Sequence, residues 1–532
     1  MILGRFKDFS TRLNNSKTIM VKKHSTVDFG KLKGQQTKRL TNYLRPMPRK
    51  YLFIATLALL TACWFSVGFH QGDEHFQLLE FAGYKLGFIS AEQLPWEFEE
   101  RMRPATQPAI AYAIHRLCGV WGEVNPYYFA CLLRLISAVG FLFLATNVYK
   151  RFADRMPTER LLGWLALGLL FNWCSVYSGI RFSGENWAGM AFAFGLLLYP
   201  TAVPERADTF TPAKTGGALA CFGAGLLFGL AFLFRYQVAI MVLGFGAWLL
   251  FIARERWPRL GLVVLGGLVA LALGTLLDRW FYGEWVIAPW HYLRSNLIEG
   301  KAATFGSAPW WDYFRMVFER GVPPLSLLYI AAPLWFAWRF RRDPLTWMMV
   351  PFLLVHFLLS RKDARFLFPL LPFLPVMIMA GAIALRRKYG KGLFNRKGVS
   401  GSVKLLGGIN LAILLTVLFR PMISEVKVNK FVWDNYTEPV SLFADGRHVF
   451  TYADLTLHFY QRPGKVTIYR TEDRAEWPKC GTPVCLYSQF TRTPTPPKNA
   501  RLVYTTRPEW ADGLGLKDWL DGMKWWAVYE LE

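Results

Sequence analysis

The chain is predicted to be an all-α polytopic membrane protein with a small C-terminal α/β or β-rich domain, on three observations. Apolar runs recur along most of residues 51–420. The composition is 53% hydrophobic and 16% aromatic with a positive mean hydropathy, high for a soluble chain. Past residue 420 the pattern changes to short strand-like runs, Val466-Thr467-Ile468-Tyr469 and Arg501-Leu502-Val503-Tyr504, between Pro and Gly turns.

Residues 1–50 carry thirteen Lys/Arg against two Asp and no long apolar stretch, so they read as a basic cytoplasmic tail rather than a signal peptide. Touching anionic lipid and merely fixing topology are both open to such a tail. Residues 51–69 form an uncharged run of about 19, enough for a helix to cross a bilayer core of about 30 Å. Ten further spans are expected near 127–148, 161–178, 186–203, 216–234, 238–253, 260–277, 323–338, 345–360, 366–385 and 404–420, about eleven in all. The segment 105–122 is apolar but carries His115 and Arg116. If it does not cross, nearly all basic loops (149–160, 204–215, 254–259, 339–344, 386–403) fall on the cytoplasmic side with the tail. Residues 70–126 are therefore expected to form one long outer loop with a re-entrant or interfacial helix, within a membrane domain spanning 51–420. The remainder, 421–532, is expected to lie outside the cytoplasm. Its Cys480 and Cys485 are close enough for a local disulfide. The net charge of +25 is accounted for by these loops, and no nucleic-acid partner is expected.

The outer side collects the chemically unusual residues. In HQGDEHFQLLE (70–80), Asp73 and Glu74 stand side by side beyond the first span, where carboxylates are rare unless paired or used. One could serve as a base toward a hydroxyl. Capping a helix that begins near His75 is the plainer alternative. Arg361, Lys362 and Arg365 gather three cations at an outer junction, against the otherwise consistent charge rule. They suit a lipid-linked phosphate, as bidentate guanidinium and point-charge ammonium, or else anchor to headgroups. Arg181, Arg235 and Asp278 with Arg279 sit at outer helix ends, where charges either snorkel or pair in a site. The loop 290–314 is rich in Trp, Tyr and Gly, a composition shared by carbohydrate sites and membrane interfaces. No dinucleotide fingerprint, P-loop, zincin motif or nucleophile elbow is found, and no cofactor or metal is expected. Without a soluble nucleotide-binding domain, a donor should enter from the membrane.

The order of these motifs resembles the family 22 glycosyltransferases, the lipid-phosphate-mannose-dependent mannosyltransferases of GPI-anchor and N-glycan assembly and their bacterial relatives. The resemblance runs through HQGDEHFQLLEFAGYKLGF and PWEFEERMRPATQP, the Arg181-Phe182-Ser183 loop and GLAFLFRYQ (229–237). It continues through DRWFYGEW (278–285) to SRKDARFLFPLLP (360–372), covering about residues 51–385. It implies a GT-C fold whose first outer loop carries the catalytic acid, with inverting, metal-independent transfer from a polyprenyl-phosphate sugar. Carried over, the catalytic carboxylate is Asp73 with Glu74 beside it. Lys362 and Arg365, with Arg361, are expected at the donor phosphate. Trp96, Glu97 and Arg103 match a stretch expected near the acceptor, and Arg181 and Arg235 join them as candidate sugar or acceptor contacts. The chain departs from the family in having His70-Gln71-Gly72 where His-Pro is usual, and Arg361 and Asp363 where the family has His and Glu.

The expected function is transfer of mannose, or a related hexose, from a polyprenyl-phosphate donor to a hydroxyl of a lipid-linked glycan. The expected site is the periplasmic or lumenal face of a bacterial inner membrane or, in a eukaryote, the endoplasmic reticulum. A flippase of lipid-linked sugars is the rival from another class. It should place ionisable groups near mid-membrane in paired halves, whereas here the charges sit at one boundary. A GT-C transferase acting on protein or lipid A is the rival within enzymes.

Overall fold

The computed structural model describes residues 46–201, 208–304, 306–444, 447–470, 480–508 and 523–531. Residues 1–45 of the expected basic tail lie outside them. Helices occupy every one of the eleven expected spans, but their lengths divide them into two kinds. Among the described residues, Pro126–Arg155, Tyr236–Ala253, Trp257–Tyr282, Ala364–Tyr389 and Lys397–Phe419 are long and apolar enough to cross a membrane. A sixth span follows if Glu159–Phe171 and Trp173–Gly179, bent by 42°, count as one. Arg49–Phe65, Gly184–Leu198, Ala218–Phe234, Leu325–Arg339 and Pro344–Leu358 run only 15 to 17 residues. At 1.5 Å per residue, 15 residues reach about 23 Å. Length alone therefore does not carry the count of eleven.

Local chemistry sets several boundaries. Asn125 accepts the Tyr127 and Tyr128 N–H groups, with Pro126 in the first turn. Thr158, Asn172 and Asp343 cap their helices in the same way. Helices Ala218–Phe234 and Trp257–Tyr282 touch backbone to backbone through glycines. A Cβ on Gly225 would lie 2.0 Å from the Val263 carbonyl oxygen, and one on Gly266 2.1 Å from that of Phe222. Small residues at four-residue spacing permit this approach. The outward face of Trp257–Tyr282 leaves Val264, Leu265, Leu268, Leu273 and Leu276 exposed, a surface suited to lipid.

The segment 105–122, which interrupts the charge pattern, contains the helix Thr106–Cys118. Its N-terminal Thr106, Gln107, Pro108 and Ala111 are buried.

The C-terminal region forms a mixed five-stranded sheet. Its strands are β1 (Val440–Ala444), β4 (Val466–Arg470), β5 (Val484–Thr491), β6 (Ala500–Thr505) and β7 (Trp525–Leu531), in the order β4-β1-β5-β7-β6. The pairs of β1 with β4 and β5 are parallel, and those of β7 with β5 and β6 antiparallel. Val440, Leu442, Leu486, Trp526 and Val528 pack with Val428 and Val432 of helix Glu425–Asn435. Cys480 and Cys485 are disulfide-bonded. A separate two-residue hairpin joins β2 (Thr451–Tyr452) to β3 (Leu455–Thr456). Membrane helices and sheet belong to one compact unit starting at Pro46.

Candidate active site

Several of the shorter elements end where polar side chains meet, and the end of each delivers one. Asp73 and Glu74 lie on the single turn Gly72–His75, which widens into a π-type turn over Phe76–Glu80. Ser183 caps helix Gly184–Leu198 by accepting the Asn186 N–H at 3.4 Å, placing Glu185 in its first turn. Arg235 follows directly on helix Ala218–Phe234. Gly184 lets these two elements meet, since a Cβ there would stand 2.8 Å from the Phe234 carbonyl oxygen. Asp363 accepts the Arg365 N–H at 3.3 Å and opens the 3₁₀ turns Ala364–Phe373.

Arg103 is placed by its backbone. The Tyr282 hydroxyl donates to the Arg103 carbonyl at 2.7 Å, and the Ala105 N–H donates to buried Asp278 Oδ1 at 2.7 Å. The DRWFY end of helix Trp257–Tyr282 thus pins residues 103–105.

The charges interlock. Arg365 Nη1 lies 2.8 Å from Asp73 Oδ2 and 3.5 Å from Glu185 Oε1. Arg235 Nη1 lies 3.7 Å from the same Asp73 oxygen, and its Nη2 3.1 Å from Glu185 Oε1. Arg365 Nε also donates to Asp363 Oδ2 at 3.1 Å. Asp73, Gln77, Arg103, Glu185, Arg235 and Tyr292 line a cleft of about 30 Å³, with Glu74 and Gln237.

Burial alone would raise the Asp73 pKa, but the guanidiniums of Arg365, Arg103 and Arg235 outweigh it and hold the carboxyl well below the usual range. Burial raises the neighbouring Glu74 carboxyl, against the opposing pull of Arg181 and of the His70 N–H, which donates to Glu74 Oε2 at 2.7 Å. The surroundings of the two adjacent carboxyls thus push their proton affinities in opposite directions, an arrangement suited to separate roles.

The other expected site residues are distributed around this cluster. Glu97 sits behind Arg103, 3.5 Å from its Nη2, and accepts the Gln77 amide at 3.2 Å. Trp96 stacks under the Lys301 ammonium, outside the cleft lining. Arg181 is buried beside the Tyr177 ring and donates to the Ser66 hydroxyl, so it acts on Glu74 through charge alone. Arg361 approaches Gly306. The structure does not bring Lys362 into the cleft. Its buried ammonium donates to the carbonyls of Phe357, at 3.1 Å, and Leu359, at the end of helix Pro344–Leu358. Lysine at a helix C-terminus satisfies carbonyls that lack partners.

Glu185 is the principal residue that the sequence reading passed over. An acid in the first turn of an apolar helix reads as a partner of the helix dipole, and only the approach of Arg235 and Arg365 reveals its second use. Gln77 and Tyr292 lie within segments the sequence singles out, 70–80 and 290–314, although neither stands out individually; Gln77 is four residues past Asp73, on the same helical face.

A second, larger cavity of about 190 Å³ has an almost wholly apolar lining. Ala364, Leu367, Phe368 and Leu371, just past Arg365, form one side, and Phe314, Val317, Tyr329 and Phe357 also line it. Its one charged lining residue, Arg320, lies 3.8 Å from Asp363 Oδ1.

A sequence profile of the Alg9-like mannosyltransferase family matches residues 50–431. The chain is 24% identical over 356 residues to GPI alpha-1,2-mannosyltransferase 3 of Bos taurus, covering 64% of this chain and 62% of that protein. With the Homo sapiens protein of the same name it shares 25% over 331 residues, 61% and 56% of the two chains. The chain therefore spans about three-fifths of the length of these curated relatives. The crystal structure of ArnT from Cupriavidus metallidurans in the apo state superposes with a TM-score of 0.48 at 14% identity, over 90% of this chain and 97% of that one.

Proposed function

The chain belongs to the Alg9-like mannosyltransferase family, and from that premise we propose that it moves mannose, or a related hexose, from a polyprenyl-phosphate donor to a hydroxyl of a lipid-linked glycan. The contact between Arg365 and Asp73 is the observation that carries the proposal. It sets a carboxylate that stays ionised beside guanidiniums able to hold a phosphate.

In this reading the acceptor hydroxyl gives its proton to Asp73 while its oxygen attacks the anomeric carbon from the face opposite the phosphate. The bond from that carbon to the phosphate oxygen breaks, its electron pair leaves with the phosphate, and the configuration inverts. Arg365 and Arg235 meet the charge that develops there, and each such group is typically worth about 3–4 kcal/mol. Donor binding also changes Asp73. A phosphate that engages Arg365 neutralises part of the field that depresses the carboxyl, so Asp73 becomes a stronger base when the donor is in place. The apolar cavity beside Leu367 and Phe368 is shaped for the lipid chain, close to the phosphate site through Arg320 and Asp363. Lys362 has a supporting part here, holding the turn from which Arg365 departs.

The proposal places the charged cluster on the non-cytoplasmic side of the membrane in a GT-C arrangement. That orientation gathers the basic loops opposite the site.

The test is reconstitution of the purified protein in liposomes with radiolabelled polyprenyl-phosphate mannose and, separately, GDP-mannose. Transfer of label from the lipid donor alone is expected. Direct use of GDP-mannose would contradict the donor assignment, and label crossing the bilayer still attached to its phosphate would indicate a carrier.

A further inference from the structure

The sheet region reaches the Asp73 turn directly. Met422 N–H donates to the Val67 carbonyl at 2.9 Å, and Phe459 N–H donates to buried Glu80 Oε1 at 3.1 Å. The same Glu80 oxygen lies 2.6 Å from His75 Nε2, and the His75 ring stacks between Phe69 and Tyr460. The Tyr127 hydroxyl donates to the Tyr460 carbonyl at 2.8 Å. Residues 458–460 are thus locked to the segment that bears the carboxylates.

This lock fixes the β2–β3 hairpin at its side. Ala453 and Asp454 turn it with φ of 47° and 64°, a left-handed conformation uncommon for alanine and retained where surroundings impose it. Phe450, Leu457 and Phe459 around the hairpin are buried, whereas Tyr452 is only partly so. Its ring meets Phe69 edge-on at 5.1 Å and passes 3.4 Å from where a Cβ on Gly72 would lie, directly beside Asp73. Burial raises the Tyr452 phenol, and its charged neighbours are Arg365, Asp363, Asp73 and Arg447, so it faces the charged cluster.

We infer that Tyr452, carried by the β2–β3 hairpin, contacts a sugar ring of the acceptor through its half-buried ring and its hydroxyl, next to the turn that bears Asp73. This deepens the transferase reading and rests on it. The hairpin lies beyond the residues 50–431 that the family shares, so a contact there would set which glycan is accepted rather than the chemistry performed. A sugar suits such a residue because its C–H face packs on an aromatic ring while its hydroxyls use a nearby phenol.

The experiment titrates methyl α-mannopyranoside against the full-length protein in detergent, read by saturation-transfer NMR. Wild type should bind, and Tyr452→Ala should bind about five- to tenfold more weakly, the scale of one aromatic contact. Tyr452→Leu fills much of the same space without an aromatic face and should weaken binding similarly, which separates recognition from folding. Leu502→Ala, at an exposed position on strand β6 away from the cleft, should bind as wild type does. No binding by wild type, wild-type affinity in Tyr452→Leu, or equal loss in Leu502→Ala would each overturn the assignment. Asp73→Asn should keep sugar binding and lose transfer. Retained transfer in that variant would remove the proposed function and leave the Tyr452 result standing.

Discussion

Arg365 Nη1 lies 2.8 Å from Asp73 Oδ2, joining the turn Gly72–His75 to a segment almost 300 residues further along the chain. The same guanidinium reaches Glu185, and Arg235 repeats both contacts from another helix end. Asp73 and Glu185 therefore each face both arginines, and Arg365 holds Asp363 as well. Neutralisation of any one member leaves a buried charge exposed to its like.

Arg365→Ala should lower the catalytic efficiency toward the polyprenyl-phosphate donor by about 10²–10³-fold, the effect of removing one charge-stabilising donor. The acceptor KM should stay within about threefold. Arg365→Lys should recover little of the loss, because an ammonium cannot contact Asp73 and Asp363 at once. Initial rates at varied donor and acceptor concentration check both statements.

Lys362→Met separates capping from phosphate binding. The ammonium satisfies helix-end carbonyls, so the variant should lose about 1–3 kcal/mol of stability while its donor KM stays close to wild type. Thermal unfolding in detergent, run beside the donor titration, distinguishes this from a phosphate contact, which would raise the donor KM.

The charge-bearing turns were legible in the sequence because ionised groups beside apolar runs demand a reason. Asp73, Arg235 and Arg365 all carried that signal. Lys362 carried it equally and stands elsewhere, since composition does not show which carbonyls end a helix nearby. Glu185 gave no such signal, being indistinguishable from an ordinary first-turn acid. The strand-like runs at 466–469 and 501–504 are both strands. Their order, and the hairpin that reaches Gly72, depend on contacts between distant segments that periodicity does not encode. Span number was obscured for a related reason. Helices Gly184–Leu198, Ala218–Phe234 and Pro344–Leu358 stop short near the polar cluster, where the chain delivers Glu185, Arg235 and the turn leading to Arg365.

Glu74→Gln should make the protein more stable at neutral pH. The folded state raises the Glu74 pKa, so it holds the proton more tightly than the unfolded chain does. Stability is then lost as pH rises from the ordinary carboxyl range through that raised value. A glutamine carries no such penalty and keeps an oxygen to accept the His70 N–H. The variant should melt about 1–3 °C higher at pH 7.5, with the gap closing as pH falls toward about 4. Melting curves across that range provide the check.

Gly184→Ala should cost activity out of proportion to its size. The added methyl stands 2.8 Å from the Phe234 carbonyl oxygen, so the helix bearing Glu185 and the turn bearing Arg235 must move apart. Overpacking of this kind typically costs about 1–3 kcal/mol of stability. The transfer rate should fall by about tenfold or more while the protein still folds, because small displacements of reacting groups are expensive.

The central claim is that Asp73 takes the acceptor proton beside a phosphate held by Arg365. Single-turnover transfer from radiolabelled polyprenyl-phosphate mannose by Asp73→Asn, which removes the base in nearly the same shape, tests it most directly. A rate lowered by at least about 10²-fold, with donor still bound, is the predicted result. Transfer at the wild-type rate would contradict it.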